Sequence, residues 1–283
     1  MDIQRIFVVG AGTMGNGIAQ TAAVSGYQVT MTDVVPEALS RGRAAIARSV
    51  EKLVSKGTLT EEQRQAALAI ATSADLEPAR QADLVVEAAT EDPAVKLALF
   101  ADLDRLAPQA AILASNTSSI SITRIGGATG RPDRVIGMHF FNPVPLMRLL
   151  EVVRGLLTSD TTAAAVIGVG QRMGKEPVEA KDSPGFISNR ILCPMINEAV
   201  FALQEGLGTA ADIDKVMKLG MSHPIGPLAL ADLIGLDVVL FIMQVLQRDL
   251  GDDKYRPAPL LRQMVDAGRL GRKSGQGFFS YDS

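Results

Sequence analysis

Short β-branched runs alternate with longer helical stretches through the first half of the chain. Most segments between these runs have helical periodicity, including a charged region from about Pro36 to Ile70 that breaks near Lys56. Strands that alternate with helices predict a mostly parallel α/β sheet, because right-handed crossovers place helices on both of its faces. The five runs with the composition of buried strands are RIFVVG, YQVTMTD, DLVVEAA, AILAS and RVIGMHF.

The pattern changes after Arg148. RLLEVVRG and PVEAKD predict two further strands with a helix between them, and the turn-rich stretch KDSPGF follows. Beyond it nearly every window is helical, including the continuous stretch GPLALADLIGLDVVLFIMQVLQRD. We therefore expect a first domain over residues 1–184 and a smaller, all-helical domain over residues 185–283. The helical domain has broader apolar faces than so few residues can bury, which favours docking or dimerisation.

Composition and charge exclude several classes of function. A net charge of -3 leaves the whole molecule without an electrostatic footprint for nucleic acid. No window approaches roughly 18 uninterrupted apolar residues, and the start MDIQRIFVVGAG is not typical of a targeting segment, so we expect no membrane span or leader. One cysteine, Cys193, excludes an internal disulfide and is typical of a packed thiol in a reducing, cytoplasmic protein.

A glycine-rich turn, GAGTMG, joins the first predicted strand to the first predicted helix. Gly10 permits the tight turn, Gly12 lets a pyrophosphate approach the backbone, and Gly15 lets the helix pack close to the strand. The amides that open the helix, at Thr13 and Met14, would donate to the phosphates.

Asp33 ends the second predicted strand about 20 residues further on, where a ribose-binding carboxylate belongs. A carboxylate there would repel a 2′-phosphate, which favours NAD over NADP. The alternative is that Asp33 only caps the next helix, and FAD stays open on the glycine pattern alone.

Polar side chains follow three of the predicted strands. Thr90 and Glu91 come after DLVVEAA, a polar run containing Asn116 and Ser118 comes after AILAS, and Asn142 lies beyond RVIGMHF. Singly, serine and asparagine after a strand usually form turns. Because ligands of open parallel sheets bind outside the carboxyl ends of the strands, the three groups together predict one site.

His139 is one of two histidines, and it lies at the end of the apolar run VIGMHF. Only about six residues, including Pro143 and Pro145, separate this strand from RLLEVV, too few for a helical crossover. The second strand must therefore return antiparallel, and a turn centred on Pro145 places His139 opposite Glu151. A lone histidine here would usually be a core residue. A carboxylate partner favours a general base instead, since it fixes the tautomer and orients the ring.

A basic stripe lies on the predicted helix between residues 41 and 56. Arg48, Lys52 and Lys56 recur at intervals of four, with Ser49 beside them. Such a stripe is most often a solvated face, and the alternative is a rim of cations for a phosphorylated substrate handle. The residues alone leave both interpretations open.

Several segments together carry a resemblance that covers the full length: GAGTMG, VVEAATED, SNTSSI, HFFNPVPLMRLLEVV, DSPGFISNR, MKLGMSHPIGP and GRKSGQGFF. The chain resembles the short-chain L-3-hydroxyacyl-CoA dehydrogenases, especially the bacterial enzymes that act on 3-hydroxybutyryl-CoA. The resemblance implies a Rossmann-type NAD domain followed by a helical domain that forms a homodimer and helps to bind the acyl-CoA, with acetoacetyl-CoA as the oxidised substrate.

The resemblance also implies roles for particular residues. His139 matches the catalytic base, Glu151 the acid that orients it, Ser118 a serine near the substrate oxygen and the nicotinamide, and Asn189 an asparagine that contacts the substrate. Residues that match the surroundings of the cofactor are Glu91, Lys96, Asn142 and Lys273, with Asn116 in the same polar run. Ser49 and Lys56 match contacts to the CoA moiety, and helical spacing adds Lys52.

Two other functions stay open at this point. One is a related dehydrogenase that acts on a free hydroxy acid and makes no use of the basic stripe. The other is a non-catalytic NAD-binding protein, which the pairing of His139 with Glu151 disfavours.

Overall fold

One sheet organises the first unit of the chain. The computed structural model describes residues 2–281. Within them eight strands form a single sheet in the order β3-β2-β1-β4-β5-β6-β7-β8. The strands are β1 (Arg5–Val9), β2 (Gln28–Thr32), β3 (Ala71–Ser73), β4 (Leu84–Glu87), β5 (Ile112–Ser115), β6 (Val135–Phe140), β7 (Leu149–Arg154) and β8 (Glu176–Lys181).

The strand pairs are parallel except for β6 and β7, which run antiparallel. The Rossmann-type, mostly parallel α/β fold is thus confirmed. The edge strand β3 was not predicted from the sequence, because its three residues, ATS, are too few to show alternation.

The α-helices described in the first unit flank this sheet: α1 (Thr13–Val24), α2 (Pro36–Ser55), α3 (Glu61–Leu68), α4 (Pro93–Leu106), α5 (Ile122–Gly126) and α6 (Asp160–Arg172). The predicted break near Lys56 lies between α2 and α3. A new helix begins there because Thr60 accepts a hydrogen bond from the Gln63 amide while the Gln63 side chain accepts one from the Thr60 amide. Strand and helix side chains such as Val8, Ile18 and Met31 are fully buried between the layers.

The first unit ends at Ser183 and the second begins at Pro184. The second unit contains α7 (Ser188–Gln204), α8 (Ala210–Gly220), α9 (Pro227–Ile234), α10 (Leu236–Leu250) and α11 (Pro259–Asp266). Its own core includes Ile196, Val200, Leu228, Leu236 and Val239. The all-helical character of this part of the chain is confirmed.

The long helical stretch of the sequence is two helices in the structure. Gly235 has φ +106°, a conformation that a continuing helix does not allow, and α9 and α10 meet at a 98° bend. Among the described residues no single helix is long and apolar enough to cross a membrane. Only the combined length of α9 and α10, which are bent against each other, would be sufficient.

The segment GQGFF near the chain end forms only isolated bridges within the described chain. It is held instead by the buried carboxylate of Asp232, which accepts hydrogen bonds from the amides of Phe278 and Phe279 and from the Tyr281 hydroxyl.

Candidate active site

The glycine-rich turn lies at the carboxyl end of β1. A side chain at Gly10, which has φ +106°, would meet the Ala88 backbone, and one at Gly15 would overlap the Gly10 carbonyl. A Cβ at Gly12 would meet nothing within 4 Å, so the backbone there is open to a ligand. Gly12 precedes α1, whose amino end has no side-chain cap among the described residues. Open backbone beside uncapped amides at Thr13 and Met14 fits a bound pyrophosphate.

Asp33 lies just beyond the end of β2 and is hydrogen-bonded to this turn. Its Oδ2 accepts from the Ala11 amide at 2.9 Å, and its Oδ1 accepts from the Val35 amide at 3.0 Å. Val35 is the residue immediately before α2, so the carboxylate bridges the turn and the start of that helix. The side chain is therefore held where the sequence predicts a ribose-binding acid.

The loops after β4 and β5 are joined through Glu91. Its carboxylate accepts hydrogen bonds from the Thr117 hydroxyl at 2.7 Å, the Ser118 amide at 3.0 Å and the Ser118 hydroxyl at 3.3 Å. The loop after β5 is joined to β6 through Asn116, whose Oδ1 accepts from the Phe140 amide at 2.9 Å. The structure thus brings the three polar strand ends together, as the sequence predicts.

His139 and Glu151 face each other across the antiparallel pair of β6 and β7, in the predicted register. His139 Nδ1 lies 2.7 Å from Glu151 Oε2. The two residues are 7% and 2% exposed, so the pair is shielded from water. The Phe141 ring packs beside the imidazole, with the ring centres 4.7 Å apart. A buried carboxylate beside Nδ1 fixes the ring and favours the tautomer with the proton on Nδ1.

The connection between β6 and β7 contains Asn142, which is exposed and precedes a cis peptide bond to Pro143. The connection packs on α1, since a side chain at Gly17 would overlap Val144. The ammonium of Lys175 donates to the Val144 carbonyl and, at 2.8 Å, to the Met147 carbonyl. Burial lowers the pKa of Lys175. Nothing in the local sequence predicts that Lys175 holds the connection between β6 and β7.

Lys96, which the resemblance places near the cofactor, is buried in the structure. Its ammonium bonds the carboxylate of Glu87, the last residue of β4, and both side chains are at most 2% exposed. Glu87 was not predicted as a site residue, because it lies in the apolar run DLVVEAA. A charged residue inside such a run is the signal that would have found it.

The basic stripe lies where it is predicted. Ser49 and Lys52 are on α2 and Lys56 follows its last residue. Ser49 is half-buried and both lysines are exposed. Among the described residues neither lysine forms a salt bridge, so both ammonium groups are available to an anion.

Two predicted residues belong to the second unit. Asn189 lies in the first turn of α7, and Lys273 forms an ion pair with Asp237, with Nζ 2.7 Å from Oδ2. Cys193 is buried in α7, and burial raises the pKa of its thiol to about 12. Across residues 2–281 the structure shows no group of three or more His, Cys, Asp or Glu that could hold a metal ion.

An open glycine turn, uncapped amides and a fixed acid at the end of β2 are the features of a dinucleotide-binding domain. The family models extend this over almost the whole chain. Residues 5–183 match the NAD binding domain of 3-hydroxyacyl-CoA dehydrogenase, and residues 185–281 match its C-terminal domain. The chain belongs to the 3-hydroxyacyl-CoA dehydrogenase family of NAD-dependent oxidoreductases.

Relatives and a solved structure agree with this assignment. The chain is 54% identical over 283 residues to a probable 3-hydroxybutyryl-CoA dehydrogenase of Bacillus subtilis, covering 100% of this chain and 99% of that one. It is 40% identical to the mitochondrial hydroxyacyl-coenzyme A dehydrogenase of Homo sapiens, over 99% of this chain and 91% of that one. The crystal structure of (S)-3-hydroxybutyryl-CoA dehydrogenase from Ralstonia eutropha superposes with a TM-score of 0.97 at 52% identity, covering 100% of both chains.

Proposed function

We propose that the protein catalyses the reversible NAD-dependent oxidation of (S)-3-hydroxybutyryl-CoA to acetoacetyl-CoA. The observation that carries this proposal is the buried pair of His139 and Glu151, 2.7 Å apart, at the sheet edge that also holds the glycine turn. The names of the relatives in Bacillus subtilis and Ralstonia eutropha support the choice of substrate.

His139 acts as the acid and base. In the oxidative direction Nε2 takes the proton of the substrate 3-hydroxyl, and in the reductive direction it returns that proton to the oxygen. Glu151 holds Nδ1 and stabilises the imidazolium that forms when Nε2 takes the substrate proton. Because Glu151 is buried, its charge acts on the ring with little screening by water. Bound NAD supplies the hydride acceptor at its nicotinamide.

Ser118 and Asn189 hold the substrate oxygens, so that the reacting carbon is oriented before the proton moves. In the structure Ser118 is itself positioned by the Glu91 carboxylate, which accepts from its amide and its hydroxyl. Removing that carboxylate would release both groups of Ser118.

NAD is held by the glycine-rich turn, by Asp33 just beyond β2, and by the polar loops that follow β4, β5 and β6. The residues that we assign to it are Gly10, Gly12, Thr13, Met14, Gly15, Asp33, Glu91, Lys96, Asn116, Ser118, Asn142 and Lys273. Asp33 already accepts hydrogen bonds from two backbone amides, which orients its carboxylate and disfavours a 2′-phosphate.

Ser49, Lys52 and Lys56 bind the CoA moiety. The two exposed ammonium groups supply positive charge for its phosphates, and Ser49 adds a hydroxyl on the same side of α2. Exposed charges are screened by salt, so this contribution weakens at high ionic strength.

The second unit forms the homodimer contact. It exposes several large apolar side chains, including Ile191, Leu207 and Leu219, each more than 60% accessible in the single chain. Exposed apolar groups of this size are typical of surfaces that a partner covers. Sedimentation of the wild-type protein tests the dimer directly, and a monomer at all concentrations would contradict it.

Steady-state kinetics test the substrate. We expect NADH oxidation with acetoacetyl-CoA and little or none with NADPH or with free acetoacetate, and longer 3-ketoacyl-CoA substrates define the preferred chain length. Equal rates with free acetoacetate would indicate a free hydroxy-acid dehydrogenase. No NADH oxidation with any ketone would indicate a non-catalytic NAD-binding protein.

Charge reversal on α2 tests the CoA site. The double variant Lys52→Glu, Lys56→Glu should raise KM for acetoacetyl-CoA by about 10-fold or more, since several charge-assisted contacts to phosphate are lost. Arg43→Glu is the matched control, because Arg43 is exposed on the same helix but lies on the face opposite to Lys52. If Arg43→Glu raised KM for acetoacetyl-CoA by the same factor, the basic stripe would not be the CoA site.

A further inference from the structure

Lys175 is a buried lysine that the proposed mechanism does not use. It lies shortly after α6 and is 7% exposed. Its own amide donates to the Gly170 carbonyl at 2.9 Å, and the next amide, of Glu176, donates to the Arg148 carbonyl at 2.7 Å. The backbone at Lys175 is therefore fixed on both sides, and the side chain starts from a fixed point beside the connection between β6 and β7.

The connection between β6 and β7 is a compact turn that this side chain binds at two points. Within the turn the amides of Leu146 and Met147 both donate to the Pro143 carbonyl at 3.0 Å. The carbonyls of Val144 and Met147 accept from the Lys175 ammonium, the second at 2.8 Å. One buried donor thus holds two carbonyls, and replacing it by an apolar group would take the donor away from both.

The connection is also fixed at two further places. Val144 is 1% exposed, and a Cβ at Gly17 of α1 would lie only 2.9 Å from the Val144 Cβ, so the turn is packed closely on that helix. At the end of β6 the Asn116 side chain accepts from the last amide of the strand at 2.9 Å. Asn142 is exposed and lies between these points. Its placement therefore depends on the Asn116 contact on one side and on Lys175 on the other.

His139 is held in a different way. It is paired with Glu151 in the strand register, and its Nδ1 lies 2.7 Å from the Glu151 carboxylate. These contacts lie within the sheet and do not include the connection. A looser connection should therefore displace Asn142 and leave the base in place.

We propose that Lys175 is a positioning residue for cofactor binding, which holds the connection between β6 and β7 so that Asn142 meets NAD. Lys175 acts through Asn142 and touches neither the cofactor nor the substrate, because its ammonium is bonded to the protein backbone. The proposal rests on the proposed function for the role of Asn142.

Lys175→Met measures the effect of the ammonium on each step. We expect Kd for NADH, measured by fluorescence titration, to rise by about 5- to 10-fold, because two hydrogen bonds that fix the connection are lost. At saturating NADH, kcat and KM for acetoacetyl-CoA should stay within about 3-fold of wild type, because the base and the substrate contacts are unchanged. A general loss of structure would not separate cofactor affinity from kcat in this way.

A double-mutant cycle with Asn142→Ala tests whether Lys175 acts through Asn142. Asn142→Ala alone should weaken NADH binding by about 10-fold, because one hydrogen-bonding side chain is lost. The double variant Asn142→Ala, Lys175→Met should bind NADH within about 2-fold of Asn142→Ala, because two residues that act through one contact are not additive. Two independent contacts would instead multiply to about 50-fold or more.

Asp104→Asn is the control for a loss of stability alone. It removes the carboxylate partner of the buried Arg131 at the other end of α4 from the polar strand ends. Like Lys175→Met, it should lower Tm. It should leave Kd for NADH and kcat unchanged, and a weaker affinity in this variant would show that reduced stability explains the effect of Lys175→Met.

Multiplied effects in the cycle would refute the proposal, because they would give the ammonium a contact of its own with the cofactor. Wild-type NADH affinity of the folded Lys175→Met variant would also overturn it. If that variant does not fold, Lys175→Arg takes its place in the cycle, since its larger head group keeps a buried donor but displaces the two carbonyls.

The proposed function is tested separately by the wild-type protein. If wild type does not reduce acetoacetyl-CoA, that function fails, and the NADH affinities of the cycle still decide the role of Lys175. If Asn142→Ala binds NADH as tightly as wild type, Asn142 does not hold NAD and the role of Lys175 is refuted, while the reduction of acetoacetyl-CoA is unaffected by that result.

Discussion

Replacing Glu151 by glutamine isolates the charge of the buried pair. The substitution keeps the shape of the side chain and one hydrogen bond to His139 Nδ1, which lies 2.7 Å from the carboxylate in the structure. Two unit charges whose centres are about 4 Å apart attract each other by about 4 kcal/mol at an effective dielectric of about 20. The remaining neutral hydrogen bond is worth about 1 kcal/mol. Loss of about 3 kcal/mol from the imidazolium corresponds to about a 100-fold lower kcat.

The assay is steady-state reduction of acetoacetyl-CoA, followed by the absorbance of NADH. We expect kcat of Glu151→Gln to fall by about 100-fold, while KM for acetoacetyl-CoA stays within about 3-fold, because the carboxylate acts on the base and not on the substrate. Glu176→Gln is the control, since Glu176 pairs with Arg148 at the exposed start of β7 and such pairs contribute little. A kcat for Glu151→Gln above a third of the wild-type value would refute the reasoning.

Other parts of the structure give three more predictions. Asp33→Asn should lower the preference for NADH over NADPH, measured as the ratio of kcat/KM values, by about 10-fold or more, because like charges at an interface cost several kcal/mol; an unchanged ratio would contradict the assignment of Asp33. Lys175→Met should lower the free energy of unfolding by about 1 to 3 kcal/mol in urea titrations, since the Val144 and Met147 carbonyls lose their donor. Burial lowers the pKa of Lys175 below its usual value of 10.5. Between the two pKa values the unfolded chain binds more protons than the folded chain, so the stability of wild type relative to this variant should rise as the pH increases toward 10.5. Cys193, with a thiol pKa of about 12, should react with a disulfide reagent only after unfolding, and fast labelling of the native protein would show that the thiol is accessible.

The pairing of His139 with Glu151 could be predicted from the sequence because it depends on local geometry. Two prolines and about six connecting residues leave no room for a helix, so the strands must form a hairpin, and the turn position fixes the register. The polar strand ends were predictable for a similar reason, since parallel strands present their carboxyl ends at one edge. The strand register confirms the first expectation. Contacts of Glu91 and Asn116 join the ends of β4, β5 and β6, and their use as one binding site stays a prediction.

The burial of Lys96 could not be predicted in this way. Residue type favours a buried valine and an exposed lysine, yet Val95 is 55% exposed and Lys96 is 1% exposed. A carboxylate at the end of a neighbouring strand decides the orientation, and that neighbour is known only from the tertiary fold. The break at Gly235 was missed because glycine occurs in both helices and turns, and only its positive φ shows which it is.

Residues of the second unit are a different case. Asn189 and Lys273 were assigned by resemblance to the family, and nothing in their spacing predicts a role in binding. Lys273 forms an ion pair with Asp237 within its own unit, so its contribution to cofactor binding stays a prediction.

The most direct test of the central claim is the kcat of acetoacetyl-CoA reduction by wild type and by His139→Gln, with NADH affinity measured in parallel. The proposed mechanism predicts a saturable wild-type rate, a loss of about 100-fold or more in the variant, and unchanged NADH binding. A variant that reduces acetoacetyl-CoA as fast as wild type would contradict the role of His139 as the acid and base.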